Sequence, residues 1–207
     1  HMTGREIRET SYKGPDKLPA MSLLKVEGLT KKDKFSDISF QLFAGEIVGI
    51  TGLLDSGRTE LAMALFGLEP ADSGSVYIEG RQVEIRSTYD STSRGIGYVP
   101  EDRLTQGLFL PQSIGKNIIA AKVRDLVGRF NLLDSNKVES EVNSWVRDLS
   151  IVTPSPLLPA QSLSGGNQQR VVLAKWLATT PKILILNGPT VGVDVGSKAD
   201  IHSIIRE

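Results

Sequence analysis

Apolar residues fall along this chain in two kinds of pattern, and each predicts its own elements. Leu23–Thr30, Ile38–Leu42, Glu46–Thr51, Val76–Ile85, Ile96–Val99 and Lys182–Leu186 are short runs of strand length, several of them rich in β-branched residues. Gly28, Gly45, Asp72-Ser73-Gly74 and Gly80 punctuate them as turns. The four aliphatics Ile183 to Leu186 stand consecutively, as in a buried parallel strand, and Gly188-Pro189 stops them. Helical spacing appears at Leu61, Ala62, Leu65 and Phe66, which share one face. It appears again between Asn136 and Leu149, where Val138, Val142, Trp145, Val146 and Leu149 form one stripe behind a cap at Asp134-Ser135. Trp145 on that stripe is assigned to the core. A third helical run extends from Val171 to Ala178, and residues 104–158 as a whole are expected to be largely helical. Internal repeats and low-complexity segments are absent.

Composition narrows the class of protein more than its chemistry. The 207 residues suffice for one domain with a small insertion, and 40% hydrophobic residues can fill its core. Lys+Arg and Asp+Glu both number 24, so no basic excess points to nucleic acid. Zero cysteines exclude disulfides and thiolate metal sites and fit a reducing cytoplasm. Of two histidines one is His1, which with Met2 reads as a cloning remnant, so a histidine metal site is not expected. No apolar run approaches the roughly 20 residues of a membrane span.

The chemistry lies in glycine-rich junctions between these elements. Leu163-Ser164-Gly165-Gly166-Asn167-Gln168-Gln169-Arg170 opens onto the third helix. Small residues there let backbone N–H groups approach an anion, the serine adds a donor, and the helix dipole is positive at that end. An ordinary serine N-cap has the same local appearance. A second junction decides for the anion. Gly52-Leu53-Leu54-Asp55-Ser56-Gly57-Arg58-Thr59 stands between a strand-length run and a helix, which is the setting of a phosphate-binding P-loop. Arg58 replaces the usual lysine; it keeps the charge but not the geometry. Asp55 turned inward would cost on the order of 1–3 kcal/mol beside a phosphate, so an outward orientation is expected. Phe35 is assigned to the core at a strand start, in preference to stacking on a base.

Together these motifs resemble the nucleotide-binding domain of ABC transporters, over residues 22–207. The octet resembles that family's signature motif, Leu163 to Asn167 acting in trans on a partner domain's ATP. Gly97-Tyr98-Val99-Pro100-Glu101-Asp102-Arg103 is similar to its Q-loop, with Glu101 for glutamine. Val191-Gly192-Val193-Asp194-Val195-Gly196 resembles its D-loop, with Asp194 retained. The family ends the preceding strand in Asp-Glu, which serve the metal and the attacking water. Here Asn187 and Gly188 occupy those places.

The resemblance implies an α/β P-loop fold: a mostly parallel sheet, an antiparallel β subdomain and a helical subdomain over about 104–158. ATP would lie on Gly52, Asp55, Ser56, Gly57, Arg58, Thr59 and Glu60, with Mg²⁺ on Thr59. The hydrolytic site would be degenerate, with no intact catalytic group at Glu101, Asn187 or Gly188. The set is narrower still, and is similar to the second, C-terminal ATPase domain of bacterial monosaccharide importers of the ribose/galactose/xylose type. Its expected partners are an N-terminal ATPase domain of the same polypeptide, membrane permease subunits and, indirectly, a sugar-binding protein, without nucleic acid. It would sit peripherally on the cytoplasmic face of the membrane. Residues 1–21 would be the remnant plus an interdomain linker, and the last strand and switch region would be missing after Glu207. His202 is too early for the switch histidine and is expected as a solvated helix residue. A nucleotide-free partner domain and a non-transport ABC ATPase are the alternatives.

Overall fold

A computed structural model of the protein describes residue 14 and residues 20–53, 55–128 and 132–206. Nearly all of the expected remnant and linker lies outside the described residues, as does Leu54. The chain divides into two compact units, one covering Thr10–Gly97 and one built on Tyr98–Glu207.

The first unit carries a four-stranded antiparallel sheet of β1 (Leu24–Lys31), β2 (Phe35–Leu42), β3 (Ser73–Ile78) and β4 (Arg81–Val83), in the order β2-β1-β3-β4. Period-2 alternation sets its register. Leu24 pairs with Ile78 and Val26 with Val76, and all four side chains are buried on the same face. The long run Val76–Ile85 folds back at Glu79-Gly80, whose φ angles of 50° and 75° suit a two-residue hairpin turn. Helix α1 (Arg58–Phe66) buries Leu61, Ala64, Leu65 and Phe66. Gly67 closes it at φ 78°, donating to the Ala64 carbonyl at 3.1 Å, and a Cβ there would collide with the Ser87 carbonyl. Helix α2 (Thr88–Thr92) follows, capped by Ser87.

One expected strand does not form. Glu46–Thr51 makes no ladder with any described residue, and Ile47, Val48 and Ile50 are 45%, 37% and 47% exposed. β-branched composition favours a pleated, half-buried surface, but a strand exists only when a neighbour satisfies its N–H and C=O groups.

Strand β5 (Ile96–Val99) pairs with β6 (Ile183–Leu186), and the Asn187 N–H donates to the Val99 carbonyl at 2.9 Å. This two-stranded sheet is what the described residues hold of the expected larger parallel one. The helices of the second unit are α3 (Ile114–Ile119), α4 (Ser135–Asp148), α5 (Gly165–Leu177) and α6 (Val195–Arg206). Val171 to Ala174 of α5 are wholly buried, so this stretch of the helix is enclosed on every side. Ile114 and Ile118 of α3, Val142 of α4 and Ile201 of α6 belong to the same core cluster.

Helix α4 matches its expected stripe, with Val142 buried and Val138, Trp145 and Val146 packed on the core. Asp134 caps it, accepting from the N–H groups of Asn136 and Lys137 at 3.1 and 3.2 Å. Residues 104–158 are less helical than expected. Among the described residues of this range, two α-helices, a π-helical turn (Arg103–Gly107) and a 3₁₀ turn (Val123–Leu126) are separated by stretches holding Pro111, Pro154 and Pro156, which interrupt helical hydrogen bonding.

Of the buried polar side chains in this unit, Asn117 and Lys175 have opposite consequences. Asn117 acts as a peptide mimic. Its Oδ1 accepts from the Phe109 N–H at 2.8 Å, and its Nδ2 donates to the carbonyls of Ser113 and Phe109 at 3.0 and 3.1 Å. Lys175 on α5 donates to the Gly107 carbonyl at 2.5 Å and lies 5.4 Å from the Trp176 ring, and no carboxylate approaches within ion-pair distance among the described residues. Burial therefore pushes its ammonium down to about 8 from 10.5. Between those values the unfolded chain holds more protons than the native one, so stability from this group rises with pH through that window. At neutral pH the buried charge is a cost of roughly 3 kcal/mol. Lys175→Met is expected to gain stability over the parent near neutral pH, and the gain should shrink as pH approaches about 10. Urea unfolding of both proteins at the two pH values measures it; a pH-independent difference would contradict a buried, titrating Lys175.

Candidate functional site

In the first unit the P-loop is shaped by its two glycines. Gly57 takes φ 83° at the N-cap of α1, and a Cβ there would strike the Lys34 carbonyl. No larger residue fits there, and no side chain caps the helix. A Cβ on Gly52 would overlap the Ser56 hydroxyl and lie 3.4 Å from Arg58 Cδ, so both side chains fold over the loop's first glycine. The Ser56 N–H donates to the Leu53 carbonyl at 3.2 Å, closing the turn. Asp55 is exposed and takes φ 60°. Thr59 occupies the second position of α1 and is partly buried. Glu60, counted among the nucleotide residues, instead forms an ion pair with Lys34 at 3.1 Å. Its carboxyl is held below the ordinary range by its own backbone N–H first and by Lys34 second. Phe35 starts β2 as a buried residue, its Cβ close to Gly57.

A phosphate fits this loop. It offers a helix start with no side-chain cap, two glycines whose Cβ positions are filled by neighbours, and the Arg58 cation. Ser56 and Thr59 are the hydroxyl side chains at this loop. Among the described residues no three carboxylates or imidazoles gather as a metal site.

In the second unit the expected signature, D-loop and Q-loop residues come together. Ser164 caps α5 and stays exposed, its Oγ accepting from Asn167 N at 3.5 Å and Nδ2 at 3.1 Å. Asn167 in turn accepts from the Val152 N–H at 2.9 Å. The Ser164 hydroxyl thus keeps its own proton to donate. Leu163 packs against the core. Asp194 caps α6: Oδ1 accepts from the Ser197 N–H at 2.9 Å and Oδ2 from the Ser197 hydroxyl at 2.7 Å. Those bonds, the backbone one first, hold its carboxyl below the usual range. A Cβ on Gly166 would collide with Ser197 Oγ, so the starts of α5 and α6 touch through this glycine.

Asn187 and Gly188 follow β6. The Asn187 Nδ2 lies 3.5 Å from the Tyr98 hydroxyl. Burial pushes that phenol up, opposed by Asn187. Gly188 takes φ 57°, and a Cβ there would stand 3.1 Å from Val191 Cγ2 and 3.3 Å from Glu101 Cγ. Glu101 itself is exposed. A neutral amide and a bare backbone occupy these two places, and neither supplies an anionic oxygen for a hard cation.

Three cations that join these segments have no motif of their own. Arg103 donates to the carbonyls of Val191 at 2.9 Å and Gly192 at 3.0 Å. Arg170 donates to the Leu149 and Ser150 carbonyls at 3.0 and 2.7 Å and pairs with Asp200 at 2.6 Å, joining the end of α4 to α6. Lys175 is the third. The only signal in the sequence was their presence within or beside the motifs, because every partner carbonyl is distant along the chain.

A family profile described as ABC transporter matches residues 35–191. Over 206 residues the chain is 44% identical to the ribose import ATP-binding protein RbsA of Geobacillus kaustophilus, covering 100% of this chain and 41% of that protein. It is 43% identical over 206 residues to a putative ribose/galactose/methyl galactoside import ATP-binding protein 3 of Agrobacterium fabrum, with the same coverage of 100% and 41%. The chain therefore spans less than half the length of these curated relatives. The fold resembles a nucleotide-free ATP-binding cassette from an ABC transporter, with a TM-score of 0.75 at 21% identity over 90% of this chain and 76% of that one. It also resembles cbiO1 of Clostridium perfringens, part of the ABC transporter complex cbiONQ, with a TM-score of 0.71 at 22% identity over 90% and 73%.

Proposed function

The chain belongs to the ABC transporter family, and from that membership we propose that it is the second ATP-binding domain of a bacterial monosaccharide importer. In this reading its own site binds nucleotide but does not turn it over, and its signature helix completes the ATP site of the first domain. The names of its relatives support the sugar class. Their length leaves room in one polypeptide for another domain of this size. The permease subunits and, indirectly, a sugar-binding protein are its partners, and it docks peripherally on the cytoplasmic face. None of the described helices is long and apolar enough to cross a membrane.

The observation that carries the proposal is an asymmetry between two ends of the same domain. Ser164 is exposed at the start of an intact, well-anchored helix, whereas the metal and base positions hold Asn187 and Gly188. Phosphoryl transfer is catalysed by positioning and charge stabilisation, so an anion-facing helix start remains useful where a missing base does not.

Calorimetry with ATP tests the nucleotide half of the proposal. Arg58→Ala is expected to weaken binding by about 10- to 100-fold, since a charged hydrogen bond contributes about 1.5–3 kcal/mol. Unchanged affinity in that variant removes Arg58 as a phosphate ligand. No heat with the parent protein favours a nucleotide-free partner domain instead. Asp55→Gly should leave affinity unaltered, because an exposed, outward carboxylate does not face the phosphate.

A further inference from the structure

We propose that Arg103 is a positioning residue that locks the D-loop onto the start of the signature helix, so that Ser164 and Gly165 are presented as one rigid surface with Val191–Asp194. The inference rests on the signature helix being the working part of this domain.

The guanidinium uses its planar fork. Nη1 donates to the Val191 carbonyl at 2.9 Å and Nη2 to the Gly192 carbonyl at 3.0 Å, while Nε lies 3.4 Å from Gln168 Oε1 on α5. One side chain thus bridges two successive D-loop carbonyls and the signature helix. The two glycines it lies against make room for it. A Cβ on Gly165 would be 2.9 Å from Arg103 Nη2, and one on Gly192 would be 3.1 Å from Nη1. Glycine at these places therefore serves a close side-chain approach as well as an anion or a turn.

The base of Arg103 is itself fixed. It opens the π-helical turn Arg103–Gly107, which Asp102 caps by accepting from the Leu104 and Thr105 N–H groups at 2.9 and 3.4 Å. The far end of the turn is held by Lys175 Nζ on the Gly107 carbonyl, and a Cβ on Gly107 would touch Val172 Cγ2 at 3.1 Å. Gln168, Val172 and Lys175 recur at i, i+4 and i+7, so one face of α5 straps the whole turn. The turn begins two residues after Glu101, which lies against Gly188. A displacement at Glu101 would thus reach the D-loop and the signature helix through a single guanidinium.

The test uses the full-length polypeptide containing this chain, assembled with its permease in proteoliposomes. ATP hydrolysis is measured for the parent, Arg103→Ala, Arg103→Lys and Ser164→Arg, with hydrogen exchange on the same samples. Arg103→Ala should lower kcat by about 10- to 100-fold with KM within about twofold of the parent, as expected when positioning rather than nucleotide binding is lost. Arg103→Lys should not rescue it, because an ammonium cannot bridge two carbonyls in one plane. Exchange should rise at residues 191–196 and 165–167 and stay unchanged in α3 and α4.

If Ser164→Arg hydrolyses ATP like the parent, the underlying assignment of the signature helix fails. If Ser164→Arg is dead while Arg103→Ala keeps full kcat, the inference about Arg103 alone is overturned. Full activity in Arg103→Lys overturns the bidentate bridge. Faster exchange throughout the unit in Arg103→Ala would reduce Arg103 to a general stabilising contact.

Discussion

Gly165→Asp or Ser164→Arg in the full-length protein is expected to abolish sugar uptake and hydrolysis at the partner domain, while Arg58→Ala leaves substantial activity of both. The proposed role of the signature helix is to face a phosphate that belongs to another domain's nucleotide. An aspartate at 165 places a negative charge at the positive end of α5, where an anion should sit. It would also meet Arg103 Nη2, so it would compete for the guanidinium that holds Val191 and Gly192. Arginine at 164 acts by bulk on an exposed position and removes the helix cap, which alone costs about 1 kcal/mol. That cost does not unfold a domain, so a thermal melt close to the parent's separates loss of function from loss of fold. Uptake and hydrolysis measured for all three variants decide the matter. Equal losses, or a greater loss from Arg58→Ala, would assign the working half of the domain to its own P-loop.

The isolated chain is expected to hydrolyse ATP no faster than a Gly57→Asp control. The attacking water needs a base and an assembled cation, and Asn187 and Gly188 provide neither. Magnesium-dependent turnover near ~1 s⁻¹, the low end for ordinary enzymes, would refute this. The structure adds a reason why the site is not rebuilt by side chains alone. Gly188 stands at φ 57°, where a non-glycine residue carries roughly 1–2 kcal/mol of strain. A glutamate there would also start 3.3 Å from Glu101 Cγ, bringing two carboxylates together. Asn187→Asp with Gly188→Glu should therefore lower the melting temperature, and raise hydrolysis only when a partner signature motif is supplied.

Much of the local structure was legible because its causes are local. Helix α4 follows from a stripe of apolar residues and one capping aspartate, all within four turns of chain, and it appears between the expected residues. The α5 start followed from Ser164 and two glycines, and the β3–β4 turn from Gly80. The family set was legible for the same reason, since each motif is a short junction whose backbone chemistry is written in consecutive residues. Glu46–Thr51 marks the limit. Its composition is that of a strand, yet it forms no ladder with any described residue, and Ile47, Val48 and Ile50 stay exposed. Residues 104–158 mark another limit: Pro111, Pro154 and Pro156 interrupt the helical run that the apolar spacing predicts.

From its order of residues alone, this protein determined where caps, turns and anion-facing helix starts would be, and that the Asn187-Gly188 pair lacks the family's acidic groups. Only the tertiary structure decided that Asp194 serves as a helix cap for Ser197, that Gly166 admits that serine, and that Glu60 turns to Lys34. It alone decided that Arg103 spans 88 and 89 residues to the D-loop carbonyls and that Lys175 reaches back 68 residues to Gly107. The physical reason is the range of the interactions. Caps and turns are satisfied within a few residues, so propensity predicts them. Ladders and guanidinium bridges are satisfied by groups that only packing brings near, and no spacing along the chain encodes them.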